Sequence, residues 1–399
     1  MPANKNGALR IAMLGHKRIP SREGGIEIVV GELAGRMVSY GHLVTCYNRT
    51  GHHISGASYD EATKKEYCGV RLKNVFTVDK KGLAAMTASF SAALCAAFGR
   101  YDVVHFHAEG PCAALWIPKL FGKKCIVTIH GLDHQREKWG EFASWYIRTG
   151  EKTAVRFADE IIVLSAGVQQ YFRDTYNRDT ILIPNGIDRH TPKEADLITK
   201  QFGIKKGEYL LFLGRLVPEK GAQYLIEAFK SVQTDKKLVI AGGSSDSSEF
   251  EQKLRTLAAD DPRIIFTGFV QGQAMEELYS NAYLYALPSD LEGMPISLLE
   301  AMSFGNCCLT SDISECTDVI GDYGLTFQKS DVSDLKEKLQ SLCDDPQTVA
   351  RLKAQSADYI CNRYNWNDVT IKTLQLYGAD IDDPIVSTEK KEYESTVHQ

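Results

Sequence analysis

Two acidic and two basic side chains in the second half of the chain stand where chemistry is possible. The segment SDLEGMPISLLEAM puts Glu292 just before Gly293 and, with seven residues between, puts Glu300 amid Leu298, Leu299, Ala301 and Met302. Pro295 suits the first position of a helix, so Glu292 and Gly293 belong to the loop before it, and Gly305 would end that helix. A carboxylate inside an apolar helix is costly without partners. Vicinal hydroxyls of a sugar would suit it, because an ionised carboxylate only accepts hydrogen bonds and such a diol donates two. Upstream, GRLVPEKG (Gly214 to Gly221) follows an apolar run and opens a helical pattern. A helix N-terminus has unpaired N–H groups and partial positive charge. Arg215 adds a rigid fork for phosphate oxygens and Lys220 a compact point charge. Each feature alone also reads as ordinary surface: a turn, an exposed helix face, two solvated cations.

These residues sit at the ends of apolar runs. LRIAMLG, HLVTCYN, YDVVHFH, KCIVTIH and DEIIVLS in the first half read as strands, as do YLLFLGRL, KLVIAGG, RIIFTGF, AYLYALPS and CCLTS in the second. Continuous β-branched runs suit strands covered on both faces of a parallel sheet. Helical patterns between them, such as IEIVVGELAGRMVSYG and AQYLIEAFKSV, argue for an α/β protein of two doubly wound, Rossmann-like domains facing across a cleft. The turn-rich segment IPNGIDRHTPKEAD marks the junction. The expected division is an N-terminal domain over 1–190, a C-terminal domain over 191–362, a helix over 363–380 crossing back to the first domain, and a polar, disordered tail over 381–399. Ligands of open parallel sheets bind beyond the carboxyl ends of the strands. His130 ends KCIVTIH. His105 and His107 alternate along HFH, so one of them is expected to face the cleft, His107 at the strand's end before His105.

Composition narrows the class. The chain has 399 residues, 44% apolar and 24% charged, as in ordinary globular proteins. Ten cysteines are scattered without a C-x-x-C pair, which reads as reduced thiols in a cytosolic protein. The uncharged run GLAAMTASFSAALCAAFG is diluted by Ser, Thr and Ala and reads as a packed helix rather than a membrane span. The polar first residues do not read as a secretory signal, so none is expected. Residues 1–190 hold 25 Lys/Arg against 18 Asp/Glu, whereas the remainder holds 21 against 33. A basic half joined to an acidic half fits a protein of which only the first part meets an anionic surface. The pairs Lys64/Lys65, Lys80/Lys81 and Lys123/Lys124 would contribute to such contact.

GRLVPEKG, followed by LEGMPISLLEAMSFG with its paired glutamates, closely resembles the signature of glycosyltransferase family 4, whose fold is GT-B. GGIE (Gly24 to Glu27), IPNGID and YNWNDV extend the resemblance over residues 9–378, and bacterial capsule and exopolysaccharide enzymes share its pattern. By position, it implies that Arg215 and Lys220 clamp the diphosphate of a nucleoside diphosphate sugar. Glu300 would hold the ribose hydroxyls, and Glu292 hydroxyls of the donor sugar. Gly214, Gly293, Met294, Pro295 and Ile296 would line the same pocket. Gly24 and Gly25 would admit phosphates or acceptor without a Cβ clash, and His130 would stand beside the reacting sugar. GLDHQREKWG (Gly131 to Gly140) resembles an acceptor-side loop.

The implied activity is retaining, metal-independent transfer of a hexose or deoxyhexose to a hydroxyl of a saccharide or lipid-linked saccharide, in cell-surface polysaccharide assembly. It would proceed in the cytoplasm, at the inner membrane face if contact with anionic lipid is real. No cofactor beyond the donor co-substrate and no nucleic-acid partner are expected. The one D-x-D match, at Asp380, lies in the acidic tail, so no metal ligands are assigned and activity is expected in chelator. A nucleotide-sugar 2-epimerase, a phosphorylase and a non-catalytic nucleotide-sugar-binding protein remain alternatives. The donor, base, acceptor and linkage stay open, and GHKRIPSREGG departs from the common first loop, which bears on the acceptor.

Overall fold

The computed structural model describes residues 7–51, 64–80, 82–135, 140–243 and 248–380. The chain forms two compact units, one running to Asn185 and taking up the chain again at Trp366, the other spanning Gly186–Asn365.

The first unit is built on eight strands: β1 (Arg10–Leu14), β2 (Leu43–Arg49), β3 (Glu66–Tyr67), β4 (Val70–Val75), β5 (Val103–His107), β6 (Lys124–Ile129), β7 (Glu160–Val163) and β8 (Ile181–Leu182). Their order is β3-β4-β2-β1-β5-β6-β7-β8, parallel except for the short β3–β4 pair. The central strands β1, β5 and β6 are almost wholly buried. This is the outcome expected for β-branched runs covered by helices on both faces. The chain leaves β1 for β2 on one side and later returns to place β5 on the other, so the order reverses between β1 and β5. Such a switch point opens a crevice beyond the carboxyl ends of the two strands.

The second unit repeats the plan with β9 (Tyr209–Leu213), β10 (Lys237–Ala241), β11 (Ile264–Gly268), β12 (Leu284–Leu287), β13 (Cys308–Ser311) and β14 (Leu325–Phe327). The six strands run β11-β10-β9-β12-β13-β14, and the described pairings are parallel. Here the reversal falls between β9 and β12.

The division falls at Asn185/Gly186, five residues before the expected boundary at 190. Helix Trp366–Tyr377 belongs to the first unit, where Arg36 of helix Gly25–Ser39 donates to Asn367 Oδ1 at 3.0 Å. Strands β3, β4, β8 and β14 were not among the expected ones. Each is short or lies at or next to a sheet edge, and β4 (VRLKNV) carries outward charges instead of a continuous apolar run. The uncharged run forms helix Leu83–Phe98, which buries Ala88, Ala92, Ala93 and Ala96. No helix among the described residues is long and apolar enough to cross a membrane. All ten cysteines are unpaired. Lys81 and the tail over 381–399 lie outside the described residues.

Candidate functional site

In the second unit the loops after β9 and β12 come together at the switch point. After β9, Pro218–Lys220 makes one 3-10 turn, and helix Ala222–Lys230 begins only after Gly221. Lys220 therefore stands in the turn before the helix rather than at the helix start as expected. Gly221 is left-handed (φ 70°), and a Cβ there would fall 1.8 Å from the Pro288 carbonyl oxygen. The two loops are locked at this point, and Asp290 N adds a 2.9 Å bond to Glu219 O.

That lock brings opposite charges together. Lys220 Nζ donates to Glu292 Oε1 at 2.5 Å, with side chains only 14% and 7% exposed. Ser289 Oγ donates to the same oxygen at 2.7 Å, and Ser311 in turn holds the Ser289 carbonyl. Gly293 and Met294 make the bend that follows, Pro295 caps the helix from outside, and the helix runs Ile296–Ser303. The proline thus precedes the first helical residue by one, and its carbonyl accepts from Leu298 and Leu299. Helices Ala222–Lys230 and Ile296–Ser303 both start without a side-chain cap, which leaves first-turn N–H groups for an anion. Gly305 (φ 79°) ends the second of them, as expected.

Glu300 is buried inside that helix, as its apolar neighbours implied, and the Tyr279 hydroxyl donates to its Oε2 at 3.2 Å. Arg215 is half-buried on the β9 loop, and Gly214 N donates to the Ala241 carbonyl at 3.0 Å. Met294 and Ile296 are buried. This unit can therefore offer an anion a pre-held ammonium and two uncapped helix ends, with Glu300 close enough in the same helix to accept from hydroxyls.

The first unit gathers histidines at its own switch point. His16 follows β1, His107 ends β5 and His130 follows β6. His107 Nδ1 and His130 Nε2 are 3.1 Å apart, with their rings stacked. His105 and His107, two apart on one strand, share a face, with ring centroids 4.1 Å apart. The expectation that only one of them turns toward the site is corrected. His105 is held from both sides, by the Tyr377 hydroxyl at 2.5 Å and the Thr128 hydroxyl at 2.8 Å. His107 is fully buried against the His130 ring.

Burial keeps the whole group neutral. It pushes His16 and His130 down to about 4 and His105 to about 3, and His107 lies well below its ordinary value. Glu27 pulls weakly the other way on His16 and His130, as Asp133 does on His130. Glu27 accepts from Lys17 N at 2.7 Å. A Cβ on Gly24 would stand 2.5 Å from its other oxygen, so Gly24 leaves room for this carboxylate, and Gly25 opens the helix.

His16, Glu27, Ser289 and Tyr279 were missed as site residues. His16 carried a signal, since it lies at a strand's carboxyl end, and Glu27 stands in the GGIE motif, whereas Ser289 and Tyr279 are visible only through their partners.

A parallel-sheet crevice with a held lysine, paired glutamates and uncapped helix ends is suited to a ligand that carries both an anionic group and hydroxyls. Residues 194–358 match the family described as Glycosyl transferases group 1, and residues 23–191 match Glycosyltransferase Family 4. The chain belongs to the family 4 glycosyltransferases. It is 25% identical over 393 residues to the D-inositol 3-phosphate glycosyltransferase of Arthrobacter sp. (strain FB24), covering 91% of this chain and 92% of that one. Its fold is GT-B, like that of Anabaena Alr3699/HepE, solved in complex with UDP-glucose (TM-score 0.75, 16% identity, 93% of this chain and 100% of that one). WaaG, a glycosyltransferase involved in lipopolysaccharide biosynthesis, is similarly close (TM-score 0.74, 16% identity, 93% and 100%).

Proposed function

We propose that the protein transfers a hexose or deoxyhexose from a nucleoside diphosphate sugar to a hydroxyl of a saccharide or lipid-linked saccharide, with the anomeric configuration retained. The observation that carries this reading is Lys220, held by Glu292 between two uncapped helix ends at the β9/β12 switch point. The UDP-glucose complex of the Anabaena protein supports a nucleotide-sugar donor. The role of WaaG supports cell-surface polysaccharide assembly, which implies work in the cytoplasm.

In the proposed reaction the bond from the anomeric carbon to the β-phosphate oxygen breaks and a bond to the acceptor oxygen forms on the same face. The acceptor's proton passes to the departing phosphate. Negative charge grows on that phosphate, and Lys220, Arg215 and the helix ends stabilise it more in the transition state than before. With those cations in place, the diphosphate needs no divalent ion. Glu300 accepts from the ribose hydroxyls, and Glu292, with the Gly293 and Met294 N–H groups, reads the sugar. Neutral His130, backed by His107, hydrogen-bonds a sugar or acceptor hydroxyl.

Incubation with a panel of nucleoside diphosphate sugars and saccharide acceptors, followed by NMR of the products, tests the reading. A glycoside with the donor's anomeric configuration is expected. Free epimerised monosaccharide, or no donor turnover, would overturn it.

Membrane contact is part of the same proposal. In the first unit, Leu94 and Phe98 are exposed on helix Leu83–Phe98, and Leu120 and Phe121 at the end of helix Trp116–Leu120. The Phe98 and Phe121 rings join them at 4.8 Å. Of the lysine pairs, Lys64, Lys65 and Lys80 are exposed, but Lys123 turns inward to the Gly99 and Tyr101 carbonyls and is not available to lipid. Sedimentation with anionic vesicles should show salt-sensitive binding that Phe98→Ala/Phe121→Ala weakens by roughly tenfold or more. No sedimentation with the vesicles, or binding unchanged by salt and by both substitutions, would overturn this reading.

A further inference from the structure

Glu109, His134 and Glu151 converge in the first unit, away from the groups used above. Glu109 lies two residues past β5, His134 in the loop after β6, and Glu151 in helix Glu141–Phe157. Both carboxylates are fully buried, and one ligand atom from each of the three residues lies within 4.8 Å of the others. His134 Nδ1 stands 3.4 Å from Glu109 Oε1 and 3.3 Å from Glu151 Oε2.

Hydrogen bonding accounts poorly for this arrangement. A charge-assisted N–H···O bond closes to about 2.7–2.9 Å, whereas His134 Nδ1 stands at 3.3 and 3.4 Å from the two carboxylates, so its proton is shared between two long contacts and makes no short one. Glu109 Oε2 and Glu151 Oε2 are left without a hydrogen-bond partner. By contrast, N and O ligands held at about 2.0–2.2 Å by a tetrahedral ion stand roughly 3.3–3.5 Å apart, which is the spacing of His134 Nδ1 from each of the two carboxylate oxygens. The Tyr171 hydroxyl donates to Glu151 Oε1 at 3.0 Å, and Tyr176 donates to the same oxygen, so Oε2 is the oxygen left for an ion. Such outer partners usually orient the ligands of a metal centre.

We propose that Glu109, His134 and Glu151 bind one d-block divalent cation of the Zn²⁺ type, with the fourth position open to water. Two oxygens and one imidazole nitrogen, with no thiolate, suit Zn²⁺ or Co²⁺ better than a soft ion. The ion offsets two buried negative charges and ties the loop after β6 to β5 and helix Glu141–Phe157. Through that loop, which begins at His130, it fixes the acceptor side of the unit. The donor diphosphate pocket lies in the other unit and uses no ion, so metal content and donor binding are separate readouts.

The test is made on the full chain, stripped with chelator and titrated with Zn²⁺ or Co²⁺. One ion per chain is expected, with visible absorption typical of tetrahedral Co²⁺ and a raised melting temperature. His134→Ala and Glu151→Gln should each weaken binding by at least about a hundredfold. Cys95→Ser, which removes an exposed thiol, should change nothing. If Glu151→Gln does not fold, His134→Ala, in a loop, still decides. Failure to take up a stoichiometric ion, or uptake that survives His134→Ala, overturns the proposal and leaves a shared proton between the carboxylates as the account of the cluster.

Discussion

Lys220→Met is expected to lower kcat/KM for sugar transfer by about 10²–10³-fold, the usual effect of removing one preorganised group from developing charge. The substitution also leaves Glu292, 7% exposed, without its ammonium. Removing one member of a buried pair costs about 3 kcal/mol or more, because the remaining charge stays desolvated. Stability and activity must therefore be separated. Lys220→Met/Glu292→Gln removes both charges and keeps the Ser289 hydrogen bond possible. Its melting temperature should return close to that of the wild type while transfer stays down. An active double variant would show that the pair only holds two loops together, as the Gly221–Pro288 contact and the Asp290–Glu219 bond already do.

A second large effect is expected in acid. His16, His105 and His130 are buried as neutral rings at about 4, 3 and 4. In the unfolded chain each titrates near 6.5, so between that value and the folded one the unfolded state binds protons that the folded state refuses. Stability from these groups is complete above about pH 6.5 and falls as the pH drops toward 4. At pH 5 each costs about 2 kcal/mol, and three together approach the whole stability of a typical domain. The groups around them soften this only partly: Glu27 favours the charged form of His16 and His130, Asp133 that of His130, and Arg49 opposes it at His16. Denaturant melts at pH 7.5, 6 and 5 should show stability falling as the pH drops, with His107, held well below its ordinary value, adding to the proton uptake of the other three rings on unfolding. The slope should drop by about one in His16→Asn. A flat profile from pH 7.5 to 5 would mean that these rings are not held neutral.

The central strands were legible because each is an uninterrupted apolar run, and a strand buried on both faces must be one. The strands β4 and β14, next to and at a sheet edge, were not, since such positions tolerate charge and brevity. Glu300 was readable from its conflict with Leu298, Leu299 and Ala301, because a buried carboxylate demands partners. That Lys220 would meet Glu292 could not be read from spacing, since the contact depends on β9 and β12 being neighbours across a reversal in strand order. The same limit hid Glu109, His134 and Glu151. They sit on three different elements, with no local spacing of the kind that marks many metal sites.

The most direct test of the donor pocket is thermal stabilisation by nucleoside diphosphate sugars, measured on the wild type, Glu300→Gln and Lys220→Met/Glu292→Gln. At about a hundred times its dissociation constant, one donor should raise the wild-type melting temperature by roughly 5 °C or more. Both variants should lose most of that shift. If no nucleotide sugar stabilises the protein, or if the shift survives in the double variant, the second unit does not grip a diphosphate through Lys220 and the account fails.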